Sequence, residues 1–324
     1  MPSQPLKVIF FGTPDLSVPF LEALTNKSDF QVVGVVTQPD RPVGRKQILT
    51  PSPVKNLATA KDIAIFQPET LKDEEVQKKI AALGADVFIV VAYGLMIPGK
   101  VLNMSELGCV NVHPSLLPKY RGPSPIQSAI ANGDERTGIS IMLLDKGMDT
   151  GPLLSQEEIN LAGDENQTSL IEKIKQLGPE FLIKTLRSYS AGEIKPEPQD
   201  ETRAEICKLL NRDSGRIDWS RPAIEIDRQI RAYQPWPGSW TVWNRDGKEM
   251  RVKILKAKLS KEPSNENPGA IKIDGDRLVC ETSNGGLEIT ELQPEGRPAM
   301  TAGEFIRGYR DTEGRSSSQR FERL

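Results

Sequence analysis

LKVIFFGTPDLSVPFLEALTNKSDFQVVGVV, from Leu6 to Val36, decides the fold class. Leu6–Phe11 is a continuous apolar run ended by Gly12, and Gln31–Val36 is a second. Short runs of this kind, bounded by turn residues, suit strands buried on both faces of a parallel sheet. Between them, Leu16–Leu24 carries apolar residues at helical spacing. Thr13 is expected to cap that helix and Pro14 to occupy its first position. Strand, helix, strand in one direction is a βαβ unit with a right-handed crossover.

The pattern continues outward. Asp86–Ala92 (DVFIVVA) reads as a third buried strand, Gly108–Val112 and Thr137–Leu144 as two more. Val54–Ala60 and Glu74–Leu83 read as helices, and Thr168–Ala191 as a long helix with a break at Gly178-Pro179. Past a polar stretch, Gly192–Arg203, the rhythm changes to short alternating segments separated by turn residues. This predicts a small barrel or sandwich. The expected organisation is a Rossmann-like, mostly parallel α/β domain over 1–191, a linker over 192–206, and a small β-barrel domain over 207–324.

Composition narrows the function. Net charge is −2, which argues against a generic polycation that coats nucleic acid, although the part from Cys207 onward is slightly basic. Three distant cysteines give no disulfide framework and no CxxC, so the cytoplasm is the expected compartment. No run approaches the roughly 20 apolar residues of a membrane span. No GxGxxG follows the first strand, and neither a phosphate-binding GxxxxGK[ST] nor a GxSxG elbow occurs.

His113 is the only histidine in 324 residues. Any imidazole chemistry must therefore happen there, and a site needing two histidines is excluded. Asn111 and His113 lie two apart at the end of a strand, so both side chains share one face. Pro114 then ends the strand, at the kind of carboxyl edge where open α/β sheets bind ligands. The loop DKGMDTG (Asp145–Gly151) follows another strand and offers two carboxylates. An amide, an imidazole and a carboxylate make an acyl-transfer set: Asn111 as oxyanion donor, His113 as proton carrier, Asp149 as its acidic partner. Asp145 is the competing carboxylate, and for both the bland alternative is loop capping.

NVHPSLLP (Asn111–Pro118) paired with Asp145–Gly151 resembles the active-site signature of folate-dependent formyltransferases. FGTPD (Phe11–Asp15), TQPDR (Thr37–Arg41), PSPVK (Pro51–Lys55), VAYGL (Val91–Leu95), YRGPSPIQ (Tyr120–Gln127) and RAYQPWPGSW (Arg231–Trp240) extend the likeness from Leu6 to about Arg310. They point to the branch that formylates initiator methionyl-tRNA. The resemblance implies that Asn111, His113 and Asp149 form the catalytic centre. It implies that 10-formyltetrahydrofolate, the formyl-donor cosubstrate, lies along Ser115, Leu116, Leu117 and Pro118 and along Val91, Ala92, Tyr93, Gly94 and Leu95. No metal and no membrane are implied, and a monomer is expected. The long Thr37–Val54 segment is expected to be a loop reaching the tRNA acceptor end, with Arg41, Arg45 and Lys46 as contacts. The resemblance also implies an OB-like C-terminal barrel. There Arg212, Arg216, Arg245, Lys248, Arg251 and Lys253 are basic candidates, and Trp236 and Trp240 are expected as packing residues.

Overall fold

A computed structural model describes residues 4–44, 46–245, 248–262, 267–309 and 320–321. In chain order its elements are β1 (Leu6–Gly12), α1 (Val18–Thr25), β2 (Phe30–Val36), β3 (Arg41–Val43), β4 (Ile48–Thr50), α2 (Pro53–Ala60), β5 (Ile65–Phe66) and α3 (Glu74–Ala81). Next come β6 (Val87–Val91), α4 (Gly99–Leu102), β7 (Cys109–His113), α5 (Pro125–Asn132), β8 (Arg136–Leu143), β9 (Leu153–Asn160) and α6 (Gln167–Ser190). The chain divides into two compact units: 1–125, 136–160 and 171–207 in one, 126–135, 161–170 and 208–324 in the other.

The first unit is built on a seven-stranded sheet in the order β5-β2-β1-β6-β7-β8-β9. The first five strands are parallel; β8 and β9 are antiparallel additions at the far edge. Val8–Gly12 and all of β6 and β7 are buried, as a central strand covered on both faces requires. On one face, Ile80, Val101 and Leu102 from α3 and α4 pack with Ile9, Phe11 and Phe88. The chain goes from β1 to β2 on one side and later to β6 on the other. The carboxyl ends of β1 and β6 therefore form a topological switch point, where open sheets leave a crevice.

Local departures from the sequence reading have physical causes. Thr13 caps no helix: Asp15–Ser17 forms a 3₁₀ turn and α1 starts at Val18. The Thr13 hydroxyl instead donates to the Tyr93 carbonyl, 3.0 Å away across the switch point. The Gly178-Pro179 break does not occur, and α6 is continuous through Pro179. A proline inside a helix costs about 3 kcal/mol. Fully burying Ile174, Leu182, Ile183 and Leu186, at roughly 1.5–3 kcal/mol each, outweighs it.

Two segments read as irregular carry structure. Within Thr37–Val54, β3 and β4 pair antiparallel, Arg41 opposite Thr50 and Val43 opposite Ile48, as an exposed hairpin. The strands are only three residues long and share no buried face, so the alternation that betrays a strand is missing. The 192–206 stretch, expected as a linker, is bonded to the first unit. Glu197 and Leu153 exchange backbone bonds of 2.8 Å, Glu205 donates to Pro118 at 3.0 Å, and Arg121 donates to Glu205 at 2.8 Å. Its polarity reflects an exposed surface: beside local turns such as Gly192 on Tyr189 and Arg203 on Asp200, its backbone ties at Glu197 and Glu205 reach partners far away in sequence.

The second unit holds an antiparallel sheet. Helix α7 (Ala223–Tyr233) precedes β10 (Ser239–Arg245), β11 (Lys248–Leu259), β12 (Ile271–Asp274), β13 (Arg277–Glu281) and β14 (Gly286–Pro294). After these come β15 (Met300–Thr301), α8 (Ala302–Tyr309) and β16 (Arg320–Phe321). The strand order is β12-β13-β14-β11-β10-β16, with β15 on β14. Phe321 also donates to the Gly269 carbonyl just before β12, at 2.9 Å, which draws the two ends of the path towards each other. Trp219, stacked on Phe321, and Trp243 fill its core beside Ile226 and Phe305. Among the described residues no helix is long and apolar enough to cross a membrane.

Candidate active site

Period-2 geometry sets Asn111 and His113 on one face of β7, opposite Met142 and Ser140 of β8. Both are buried, and the Asn111 amide makes no hydrogen bond among the described residues. Its polar atoms are not among the fully enclosed unpaired ones, so solvent, or a ligand that displaces it, can reach the amide. Asn111 is therefore an available donor.

The His113 ring is fixed from two directions. Its Nε2 lies 2.9 Å from the Tyr120 carbonyl, which only accepts, so Nε2 carries a proton. Its Nδ1 faces the Asp149 carboxylate, 3.6 Å from Oδ2. This leaves Nδ1 as the nitrogen free to take a proton. Burial pushes the imidazole below its ordinary pKa; the Asp149 charge and the bond to Tyr120 oppose that shift without overcoming it. The resting imidazole is therefore neutral near pH 7 and charges only in more acidic solution.

The choice between carboxylates is geometric. Asp145 turns back into its own loop, accepting from the Gly147 amide at 2.9 Å and the Thr150 hydroxyl at 2.7 Å. Asp149 sits at φ 55, a left-handed conformation that aspartate tolerates, and points to His113. Its Oδ2 accepts from the Gly122 amide at 2.8 Å. Gly122 has φ 109, and a Cβ there would lie 2.9 Å from the Cys207 carbonyl, so this donor position requires glycine.

The other expected residues fall into three groups. In Ser115–Pro118 the Ser115 hydroxyl donates to the Lys119 carbonyl at 2.6 Å and is wholly buried. The Leu117 amide donates to Ser140 Oγ at 3.0 Å, and Gln156 of β9 donates to the Leu117 carbonyl at 2.9 Å. Leu116 packs over Gly138, and the Pro118 carbonyl receives Glu205. The segment is thus strapped to β8 and β9. In Val91–Leu95 the chain leaves β6 beside β7, where Val90 pairs with Asn111. Val91 and Tyr93 turn inward, Ala92 and Gly94 are exposed, and Leu95 is half-buried. Tyr93 packs edge-on against Phe11, and burial lifts its hydroxyl pKa to about 12. Its carbonyl accepts from Thr13 and from Gln38 Nε2 at 2.9 Å. Gly94, at φ 83, passes so close to Gln38 that a Cβ would lie 2.6 Å from Nε2. In the third group, Arg41 and Lys46 are exposed on the β3–β4 hairpin, and Arg45 lies outside the described residues.

Arg121 and Gln199 escaped the sequence reading. The Arg121 guanidinium is buried, donating to Gln199 Oε1 from Nε (3.0 Å) and Nη2 (2.9 Å) and to both Glu201 oxygens (2.8 and 2.7 Å). Gln199 Nε2 in turn donates to the Asp149 and Gly151 carbonyls at 2.8 and 2.7 Å. Arg121 is the single charge in YRGPSPIQ, Tyr120–Gln127, and that was a usable signal. Gln199 had none, because its neighbours are proline and acid.

In the second unit Trp240 is nearly buried, with the Arg251 guanidinium 3.6 Å above its ring and Nε1 bonded to the Arg212 carbonyl. Trp236 is half exposed. The side chains of Arg245 and Lys248 lie outside the described residues.

Comparison with known proteins fits this architecture. Residues 6–186 match the formyl transferase family, and residues 209–310 match the formyl transferase C-terminal domain. The chain belongs to the formyl transferase family. It is 43% identical over 308 residues to the methionyl-tRNA formyltransferase of Roseiflexus sp. (strain RS-1), covering 95% of this chain and 94% of that one. Among solved structures, WlaRD, a sugar 3N-formyl transferase crystallised with dTDP and 5-N-formyl-THF, superposes with a TM-score of 0.65. It is 19% identical, over 90% of this chain and 99% of that one. HypX from Aquifex aeolicus in complex with tetrahydrofolic acid gives 0.62 at 16% identity over 94% of this chain. The chain spans only 47% of that protein's length. At such identities the structural likeness speaks for the fold alone.

Proposed function

We propose that this formyl transferase moves the formyl group of 10-formyltetrahydrofolate to the α-amine of methionine on initiator methionyl-tRNA, the modification that prepares it for translation initiation. One observation carries the choice of acceptor: the 43% identity to a methionyl-tRNA formyltransferase runs through both matched regions, the second of them 209–310.

The residues at the end of β6 suit a folate. Alternate side chains turn inward there, Ala92 and Gly94 leave the backbone bare, and a flat ring with polar edges can lie against it. Val91–Leu95 would hold that ring, with the strapped Ser115–Pro118 segment as a rigid border. When bound, the donor supplies an activated formyl carbon. The unbonded Asn111 amide donates to the formyl oxygen as negative charge gathers on it. His113, neutral at rest, accepts at Nδ1 the proton that the attacking amine must lose. The imidazolium so formed is stabilised by the Asp149 carboxylate at Nδ1 and by the Tyr120 carbonyl at Nε2. It then returns the proton to the departing nitrogen. One carbon–nitrogen bond forms, one breaks, and no net proton is consumed.

The test is direct. Labelled 10-formyltetrahydrofolate is incubated with the protein and methionyl initiator tRNA, with glycinamide ribonucleotide in a parallel tube. Label in the tRNA is the expected result; label in the ribonucleotide alone overturns the choice of acceptor.

A further inference from the structure

The 192–207 segment reaches the heart of the site, and the way it does so assigns a role to a residue with no chemistry of its own. Asp149 is held by two tethers. Its carboxylate accepts from Gly122, and its main-chain carbonyl accepts from Gln199. Gln199 uses one amide nitrogen for two carbonyls, those of Asp149 and Gly151, and so spans the turn that sets the carboxylate's direction. Its own orientation is imposed by Arg121, whose Nε and Nη2 both donate to Oε1. With Oε1 facing two donors and Nε2 facing two acceptors, only one amide orientation satisfies all four bonds. Arg121 is in turn clamped by both oxygens of Glu201, a fork-to-fork pair that fixes the guanidinium plane. Gly122, the donor to the carboxylate, is the next residue along the chain. Both tethers of Asp149 therefore converge on Arg121-Gly122.

We infer that Gln199, locked by Arg121 and Glu201, is a positioning residue that aims Asp149 at His113. This rests on the role proposed above for Asp149. Without the brace, the Asp145–Gly151 loop retains Asp145 bonded to Gly147 and Thr150, but nothing holds the Asp149 and Gly151 carbonyls. The carboxylate then swings on a single contact to Gly122. The gap to Nδ1, already 3.6 Å, is the quantity that suffers.

The lone histidine makes this measurable without substrate. In the full-length protein every imidazole resonance in an NMR titration belongs to His113. The charged groups gathered on its Nδ1 side are Asp149, with Arg121 facing Asp149, Asp145 and Glu201. Asp149 raises the imidazole pKa, so displacing it lowers the titration midpoint. Gln199→Leu is expected to lower that midpoint and to cut kcat about tenfold, with KM for tRNA and for the folate donor changed less than about threefold. Glu201→Gln, at an exposed position that leaves the fold intact, should shift both in the same direction by a smaller amount, about threefold in kcat. It decides the matter if Gln199→Leu does not fold. A midpoint and kcat unchanged in the folded variants would overturn the inference. So would a fall in kcat with no movement of the midpoint, the signature of general loosening. If the wild-type protein formylates neither acceptor, the functional reading fails, yet the midpoint still tests the brace.

Discussion

His113 at the end of β7 is almost wholly buried, with a carbonyl on one nitrogen and a carboxylate facing the other. Val43, Ile48 and Leu49 on the β3–β4 hairpin, in the same unit, are each more than half exposed. At β7 the surroundings dictate orientation and charge state, so a side chain there can be preorganised for a reaction. On the hairpin nothing dictates either, and its apolar and basic groups lie open to solvent, where the resemblance leads one to expect a contact with tRNA. The difference separates two kinds of free energy. Substitutions at β7 should act on kcat, and substitutions on the hairpin on the binding of RNA.

The largest expected effect is at Asn111. Removing an oxyanion donor typically costs about 100- to 1000-fold in rate. Asn111→Ala should lower kcat by at least that factor with tRNA binding retained in a filter assay; near-normal turnover by the folded variant would remove Asn111 from the reaction. His113→Asn should likewise abolish transfer and spare binding. Lost binding would make the histidine structural. Asp149→Asn comes next, at about 10- to 100-fold in kcat, with a pH signature. The folded His113 titrates below its unfolded value near 6.5, and losing Asp149 lowers it further. The acidic limb of kcat should move to lower pH in the variant; a limb that stays put would uncouple the pair. The same burial has a stability consequence. Above pH 6.5 the neutral imidazole carries no penalty. As pH falls below that, the unfolded chain binds the proton first, and stability drops by up to about 1.4 kcal/mol per pH unit until the folded imidazole also charges. Urea denaturation between pH 5 and 7 reads this, and His113→Gln should flatten that component.

The same contrast explains what could be read without coordinates. Buried strands announce themselves: Val8–Gly12 and Val87–Val91 are apolar on both faces, and a strand that carries Asn111 and His113 two apart can aim them only one way. The hairpin hides because three-residue strands with no buried face leave no periodic trace. Gln199 hides for a different reason. Its four hydrogen bonds go to residues 48 to 78 positions away, and a polar side chain in a polar stretch carries no mark of such partners. The resemblance already favoured Asp149 over Asp145, but the physical reason lies in the backbone: both carboxylates lie in one seven-residue loop, Asp145 turns back into it and Asp149 faces His113.

Between the two extremes stands Gly94. Alanine there meets a left-handed backbone and the Gln38 amide together. A strain of about 1–3 kcal/mol at this turn should raise KM for the folate donor roughly tenfold while leaving KM for tRNA unchanged. An unaltered donor KM would move the ring away from the end of β6. On the hairpin, Arg41→Ala and Lys46→Ala should each raise KM for tRNA about threefold. Each should also reduce the slope of log affinity against log salt by somewhat less than one, as for one lost phosphate contact. Affinity lost without a change in slope would mean that the contact is not to phosphate.

The smallest effect tests how the hairpin is held. At its foot Asp40 accepts from Lys55 at 2.7 Å and from Gln67 at 2.7 Å, while Gln67 also donates to the Gln38 carbonyl at 3.0 Å. Those bonds hold the Asp40 carboxyl below the ordinary carboxylate range, the Lys55 bond contributing most. The clamp is therefore complete above pH 4 and is lost only as pH falls through that depressed value. Asp40→Asn keeps the shape and one bond but removes the charge. It should raise KM for tRNA about twofold near neutral pH, leave kcat and the His113 midpoint unchanged, and show no further change as pH is lowered toward 5. A fall in kcat instead would mean that hairpin and β7 are not separable, because a clamp at Asp40, 73 residues before His113, would then be reaching the imidazole through the ends of β1 and β6, where Gln38 and Thr13 share the Tyr93 carbonyl.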